Sequence, residues 1–225
     1  MTTVAQVKQA ARPLLERNSD LTLVGRMIVV KPVRHILRGV YMARSIDATT
    51  FTPTWFVVFM FEYKAHPTFN WGGRLYNQAH GPWDIRNPAT PQVMCDEIES
   101  EALPLLRPIQ TIDDFAAFVS KERFRVTCLE NWVIRKVVVD IARGDFDSAL
   151  AICAEFPREH PAVPSPLYED HDAVLPVLRP LLEANDRAGL ARVLHQWESD
   201  SVKACKLEKV WESTLFPFEL QNGGK

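Results

Sequence analysis

The sequence predicts an α+β protein, in which an N-terminal helix plus an antiparallel sheet is followed by a mostly helical C-terminal half. Three observations support this class: β-branched and apolar runs fill the segment before residue 64, helical spacing of apolar residues begins after Thr90, and a stretch without either period separates them. We therefore divide the chain into an α+β sheet domain over 1–110, with a long aromatic loop over 64–90, and a helical domain of antiparallel hairpins over 111–225.

The N-terminal part begins with an amphipathic helix over Thr3–Arg17, where apolar residues recur at helical intervals. Segments 21–31 and 33–44 are rich in β-branched residues and are predicted as two strands, with Pro32 at a bend between them. The third strand, 54–63 (TWFVVFMFEY), is apolar on both alternating faces. That pattern is typical of a strand covered on each side, so we expect it in the middle of the sheet.

The C-terminal part carries helix start and stop signals. Thr111–Asp114 matches a capping-box variant ahead of an apolar stripe. Gly144 can adopt the left-handed conformation that joins two helices of a hairpin. Asp186 is placed to cap a further amphipathic helix, and a last helix is predicted to end at about Trp211.

Composition places the chain among ordinary globular proteins. Of its 225 residues, 47 % are hydrophobic and 24 % charged, which argues against wholesale disorder and fibrous order. The longest apolar stretch, Trp55–Phe61, is far shorter than the ~20 residues of a membrane helix. The start MTTVAQVKQAARPLLE has no signal-peptide core, so we expect a soluble cytoplasmic protein. The four cysteines lack CxxC spacing and are interpreted as buried free thiols: Cys95, Cys128, Cys153 and Cys205.

Charge is unevenly distributed along the chain, although the net charge is only −2. Residues 1–89 carry 11 Lys and Arg against 5 Asp and Glu, whereas residues 90–225 carry 15 against 23. Either the two parts pack against each other through edges of opposite charge, or the basic part presents a surface to an anionic partner.

Residues Gly144–Leu150 (GDFDSAL) resemble the turn and second-helix start of a tetratricopeptide repeat, with Pro161 where such a repeat ends. The resemblance covers one hairpin, 130–161, and departs from the family in the first helix at Lys136, Val137 and Asp140. A stable solenoid requires about three repeats, so we interpret this as a generic helix pair and infer no peptide binding from it. In its order of elements, the N-terminal half is similar to small uncharacterised bacterial domains, some of which are toxin-immunity or defence accessories.

Nucleophile, phosphate-loop and zinc-protease motifs are absent from the sequence. The densest acid and base cluster, Glu169–Asp172 with His171, is interpreted as a helix N-cap by Asp170 or Asp172 rather than a metal site, because no further ligand lies nearby. We expect no cofactor and no metal.

Arg34, Arg38 and Arg44 are separated by even numbers, so a regular strand would project them from one face above Ile36, Val40 and Met42. Such a guanidinium row suits carboxylates or phosphates. In the alternative, each arginine pairs with the chain's own acidic helices, and Gly39 or a bulge breaks the register.

The aromatic loop is the segment with the strongest binding character. Gly72-Gly73 allows a tight turn that brings backbone amides near a ligand, and Trp, Tyr and Arg dominate binding hot spots. The residues concerned are Trp71, Arg74, Tyr76, His80 and Trp83. In the alternative, Trp71 and Trp83 fold back over the sheet as core residues.

From these features we expect a non-enzymatic bacterial protein-binding module. The more specific prediction is a toxin-immunity or defence accessory protein. Its partner would be another protein with an acidic surface, and nucleic acid is the less favoured partner. We expect no membrane association. The sequence leaves open whether the protein forms a homodimer. The alternative is a hydrolase or nucleic-acid-processing enzyme that uses His66, His80 or His171 with Arg74.

Overall fold

The structure is a computed structural model that describes residues 3–63, 71–77, 81–121, 129–155 and 166–221. It confirms the α+β class: an N-terminal helix and an antiparallel sheet precede a mostly helical C-terminal half. Helix α1 spans Val4–Arg17 and begins at a capping box, in which Thr3 and Gln6 satisfy each other's backbone N–H groups. Its buried face covers the sheet.

The sheet has the neighbour order β1-β2-β3-β4-β5, and β6 also pairs with β4. All pairs are antiparallel. The strands are β1 Leu21–Val24, β2 Met27–Val30, β3 Ile36–Arg44, β4 Thr50–Phe59, β5 Trp71–Arg74 and β6 Trp83–Asp84.

The segment predicted as one strand over 21–31 is a hairpin of β1 and β2, so that prediction was wrong. Gly25 has φ +60°, a conformation that reverses the chain between the two strands. The predicted third strand begins at Thr50 and ends at Phe59, four residues earlier than expected at both ends.

The sheet separates two apolar clusters, and β4 contributes to both. Its inner face, with Val57 and Phe59, packs against the main helices of the chain. Its outer face, with Phe56 and Val58, packs against Val202 and the segment that follows. The prediction of a central, doubly covered strand is therefore confirmed, and the cover comes from the same chain.

The prediction of an irregular loop over 64–90 was wrong where the structure describes it, because β5 and β6 both add to the sheet. A strand of sequence WGGR has no alternating apolar pattern that would reveal it. Its glycines permit the pairing: a Cβ on Gly72 would lie 2.4 Å from the carbonyl oxygen of Trp55 in β4.

The C-terminal part is helical. Its elements are α2 Thr90–Glu97, a π-helical turn Ile98–Ala102, α3 Leu103–Leu106, α4 Ile112–Val119, α5 Leu129–Arg143, α6 Phe146–Glu155, α7 Pro166–Glu183, α8 Arg187–Cys205 and α9 Pro217–Leu220. The capping box at Thr111 is confirmed, as are the left-handed Gly144 and the Asp186 cap, which accepts from Gly189 N at 2.8 Å. The helix predicted up to Trp211 ends instead at Cys205, since Lys206 adopts the left-handed conformation.

The main apolar cluster draws on both predicted parts of the chain, from Leu14 in α1 to Leu194 in α8. The division at residue 110 stays a prediction, as does the resemblance of the α5–α6 hairpin to a tetratricopeptide repeat. Within the described ranges, no helix combines the length and the apolar character that crossing a bilayer requires.

Candidate protein-binding surface

The two indoles expected on an outward-facing surface lie in the core. Trp71 is 2 % exposed and Trp83 is 4 % exposed. The Trp71 ring packs perpendicular to Phe115, with centroids 5.1 Å apart, and Trp83 Nε1 donates to the carbonyl of Leu75 at 2.9 Å. The alternative interpretation, in which both residues fold back as core, is the one that the structure shows.

The arginine row is also not a surface. The even-numbered face of β3 is the inner face, because Ile36, Val40 and Met42 belong to the main apolar cluster. Arg38 shares that face and is 3 % exposed, and this burial lowers the pKa of its guanidinium.

The other two arginines of the expected row differ from Arg38 because both are exposed. Arg34 precedes β3 and its Nε donates to Glu212 at 3.1 Å, so it is neutralised by a carboxylate of its own chain. Arg44 lies at the exposed end of β3. Arg34 and Arg44 therefore both stay exposed, but the buried Arg38 between them does not join them in a surface row.

Arg74 and Tyr76 are exposed, and Tyr76 keeps 69 % of its surface accessible. Neither side chain makes a hydrogen bond or ion pair with any residue that the structure describes. Leu75 between them is buried, and its backbone N–H donates to the carbonyl of Pro53 at 2.9 Å. The buried leucine fixes the backbone, so that its two neighbours project away from the core. His80 lies outside the described residues.

The Gly72-Gly73 pair has a structural role that differs from the expected ligand-facing turn. Both glycines lie within β5, paired with Phe56 and Trp55 of β4. A Cβ on Gly73 would lie 2.7 Å from Nε1 of Trp55. The glycines therefore allow β5 to dock closely on β4.

The histidines of the enzyme alternative are not brought together by the described structure. His66 and His80 lie outside the described residues, and His171 lies within α7, where only the backbone is described. Because α7 begins at Pro166, Asp170 and Asp172 lie inside the helix, and the N-cap prediction was wrong. Among the residues described, no group of three or more His, Cys, Asp or Glu side chains is arranged to hold a metal ion.

A buried polar network surrounds Glu198 of α8 and was not predicted from the sequence. The fully buried Glu198 carboxylate lies 3.0 Å from His35 Nδ1 and 3.8 Å from His195 Nδ1. His195 Nε2 in turn lies 2.9 Å from Glu219 in α9. The network connects the start of β3 to α8 and α9. The i,i+3 spacing of His195 and Glu198 on one helix is visible in the sequence, but their connection to His35 is not.

A cleft of about 560 Å³ lies between α4 and α5, and its charged groups are paired with one another. The buried Asp140 accepts a hydrogen bond from Ser148 Oγ at 2.7 Å and also pairs with Lys136. Arg143 Nε donates to Asp113 at 2.6 Å. Since each of these groups already has a partner, the cleft offers no free charge to a ligand.

The sequence matches no protein-family model, and no curated protein or solved structure is significantly similar to it. A function can therefore be inferred only from the geometry of the described residues.

Proposed function

We propose that this chain is a non-enzymatic protein-binding module that contacts its partner through Arg74 and Tyr76. The observation that supports the proposal is the exposure of these two side chains, which have no partner among the described residues, on a backbone held by buried neighbours. Tyrosine and arginine are the residue types that most often dominate the binding energy of an interface.

Rigidity of the supporting strand favours this use of the two side chains. Trp71 at the start of β5 and Trp83 in β6 are buried, and β5 is paired with β4 over four residues. A surface that is already ordered loses little conformational entropy on binding, which raises affinity.

Charge favours an acidic partner. The Arg74 guanidinium has no carboxylate partner among the described residues, and residues 1–89 carry an excess of positive charge. An Arg side chain presents a planar fork of donors that matches a carboxylate. The narrower role, as a bacterial immunity or defence accessory in the cytoplasm, stays a prediction.

The proposal is tested by affinity capture from the native host, followed by measurement of Kd with the purified partner. The double variant Arg74→Ala/Tyr76→Ala should weaken binding by about 30-fold or more, the effect of losing a hot spot worth about 2 kcal/mol. Its melting temperature should stay within about 1–2 °C of wild type, because both side chains are exposed.

The matched control is Arg12→Ala/Leu220→Ala, which also removes an exposed arginine and an exposed apolar side chain, from α1 and α9. It should leave Kd unchanged. Equal Kd values for wild type and Arg74→Ala/Tyr76→Ala would refute the proposal.

A further inference from the structure

A second surface feature, independent of the proposed function, lies at the opposite edge of the sheet from β5. A groove of about 590 Å³ opens between the β1–β2 hairpin and the segment after α8. Glu212 N donates to Val33 O at 2.8 Å and joins the two walls, while Lys31 N donates to Asp20 O at 2.8 Å and closes the hairpin wall. The residues that could contact a ligand are Ser19, Thr22, Lys31 and Pro32 on the hairpin side and Lys209 and Trp211 on the other.

The groove carries positive charge that no described carboxylate pairs with directly. Its two carboxylates are already paired: both oxygens of Asp20 accept from Arg107 at 2.9 Å, and Glu212 accepts from Arg34 at 3.1 Å. In contrast, the ammonium groups of Lys31 and Lys209 make no ion pair or hydrogen bond with any described residue. Lys31 acts on the Asp20 carboxylate only at longer range.

Several hydrogen-bond donors of the groove are also unpartnered within the described residues. The indole Nε1 of Trp211 is buried without an acceptor. The hydroxyl groups of Ser19 and Thr22 make no side-chain hydrogen bond there. Ser19 is exposed and Thr22 is half-buried, so their hydroxyl groups can donate to a ligand, whereas the buried Trp211 N–H does not reach one.

The size and chemistry of the groove select a class of ligand. Its volume lies within the range of small-molecule sites, roughly 300–1,000 Å³. Two ammonium groups without a described ion-pair partner match a phosphate monoester, whose charge is about −1.5 to −2 at pH 7. The apolar groups of Trp211, Pro32 and Val210 offer a surface for a flat ring.

We propose that this groove binds a small organic phosphate, of the nucleoside monophosphate class, with its phosphate held by Lys31 and Lys209 and its ring against Trp211. Hydroxyl groups of Ser19 and Thr22 would donate to the remaining phosphate or ribose oxygens. No bond is made or broken, so the groove acts as a recognition site.

Isothermal titration calorimetry with AMP, GMP, CMP and UMP tests the proposal on the full chain. At least one nucleotide should bind more tightly than adenosine and inorganic phosphate, because each of those supplies only half of the contacts. Lys31→Met/Lys209→Met should weaken binding at least tenfold, whereas Lys8→Met/Lys121→Met, which removes two exposed lysines elsewhere, should not change it. Trp211→Ala should also weaken binding, since it removes the ring surface against which the nucleotide base would lie.

Three results would overturn the proposal. The first is no binding of any of the four nucleotides at millimolar concentration. The second is binding that survives Lys31→Met/Lys209→Met in a protein whose circular dichroism is unchanged. The third is inorganic phosphate that binds as tightly as every nucleotide. None of these results depends on Arg74 or Tyr76, so they neither support nor refute the proposed protein-binding function.

Discussion

The Nε atom of Arg135 lies 2.7 Å from a carboxylate oxygen of Glu62, and both side chains are almost completely buried. The pair connects α5 to the residues just after β4. The Arg135 guanidinium also lies over the Trp71 ring, 5.8 Å from its centroid. One buried ion pair therefore holds together the sheet, the indole of β5 and the helical part of the chain.

Removal of one member of this pair should destabilise the protein strongly. Glu62→Gln removes the negative charge that pairs with the buried Arg135 guanidinium, and we expect the free energy of unfolding to fall by about 3–5 kcal/mol. The double variant Glu62→Leu/Arg135→Met should be more stable than Glu62→Gln, because no buried charge is then left uncompensated. Urea denaturation measures all three proteins. The exposed pair Arg12–Glu16 is the comparison, and Arg12→Ala should cost about 1 kcal/mol or less.

The network around Glu198 should stabilise the segment around Phe216. Glu198→Ala removes the partner of His35 Nδ1 and leaves a buried polar group unpaired, at an expected cost of about 1–3 kcal/mol. His35 stacks on Phe216, with ring centroids 4.2 Å apart, so amides near Phe216 should exchange faster in this variant. Hydrogen exchange monitored by NMR provides the readout. Unchanged exchange at Phe216 together with unchanged stability would contradict this role.

Gly39→Ala should weaken the pairing of β2 with β3. A Cβ on Gly39 would lie 2.2 Å from the carbonyl oxygen of Ile28 in the neighbouring strand. The strand must shift to relieve that overlap, and we expect a cost of about 1–3 kcal/mol in thermal or urea unfolding. Gly25→Ala is the control, because a Cβ there meets nothing within 4 Å and only the positive φ opposes it. A loss smaller than about 0.5 kcal/mol for Gly39→Ala would show that the strands separate without strain.

Protonation of Asp20 should contribute to a decrease in the stability of the folded protein at acid pH. The hydrogen bonds from Arg107 lower the pKa of Asp20 below its unfolded value of about 3.9. A carboxyl group with a lowered pKa stabilises the fold above its unfolded pKa, and this contribution is lost as the pH falls through the folded pKa. Wild type should therefore be more stable than Asp20→Asn at pH 7, by about 1 kcal/mol or less because the pair is partly exposed. Thermal unfolding between pH 2 and 7 should show the two curves converging at the acid end.

The described cysteines should react slowly with thiol reagents in the folded protein. Burial raises the pKa of Cys95 and Cys153 and raises that of Cys205 to about 11, so these thiols stay protonated at pH 8. In a Cys128→Ser background, which removes the thiol outside the described residues, we expect modification to be about a hundredfold slower before unfolding than after it. A rapid reaction of one thiol in the native protein would contradict this expectation.

Features that depend on neighbours along the chain could be predicted from the sequence. The capping box at Thr111, the left-handed Gly144 and the central position of β4 follow from local geometry or from a repeated apolar pattern. The WGGR strand could not be predicted in this way, because its pairing depends on a close fit of Gly72 to β4 rather than on alternation.

Of the candidate surface, the sequence indicated Arg74 and Tyr76 but did not separate them from Trp71 and Trp83. All four residues have binding character, and composition cannot distinguish an exposed ring from a buried one. The burial of Trp71 depends on Phe115 and Arg135, which contact its ring only after the helices pack on the sheet.

The sequence by itself determined the fold class, the N-terminal helix, the caps and the doubly covered strand, because each of these is specified by residues within one or two turns or strands. Only the tertiary structure decided which side of β3 became the core, and with it the burial of Arg38, and which distant groups met, such as His35 and Glu198. Burial and pairing are properties of two surfaces brought together, so a pattern along one segment does not contain them.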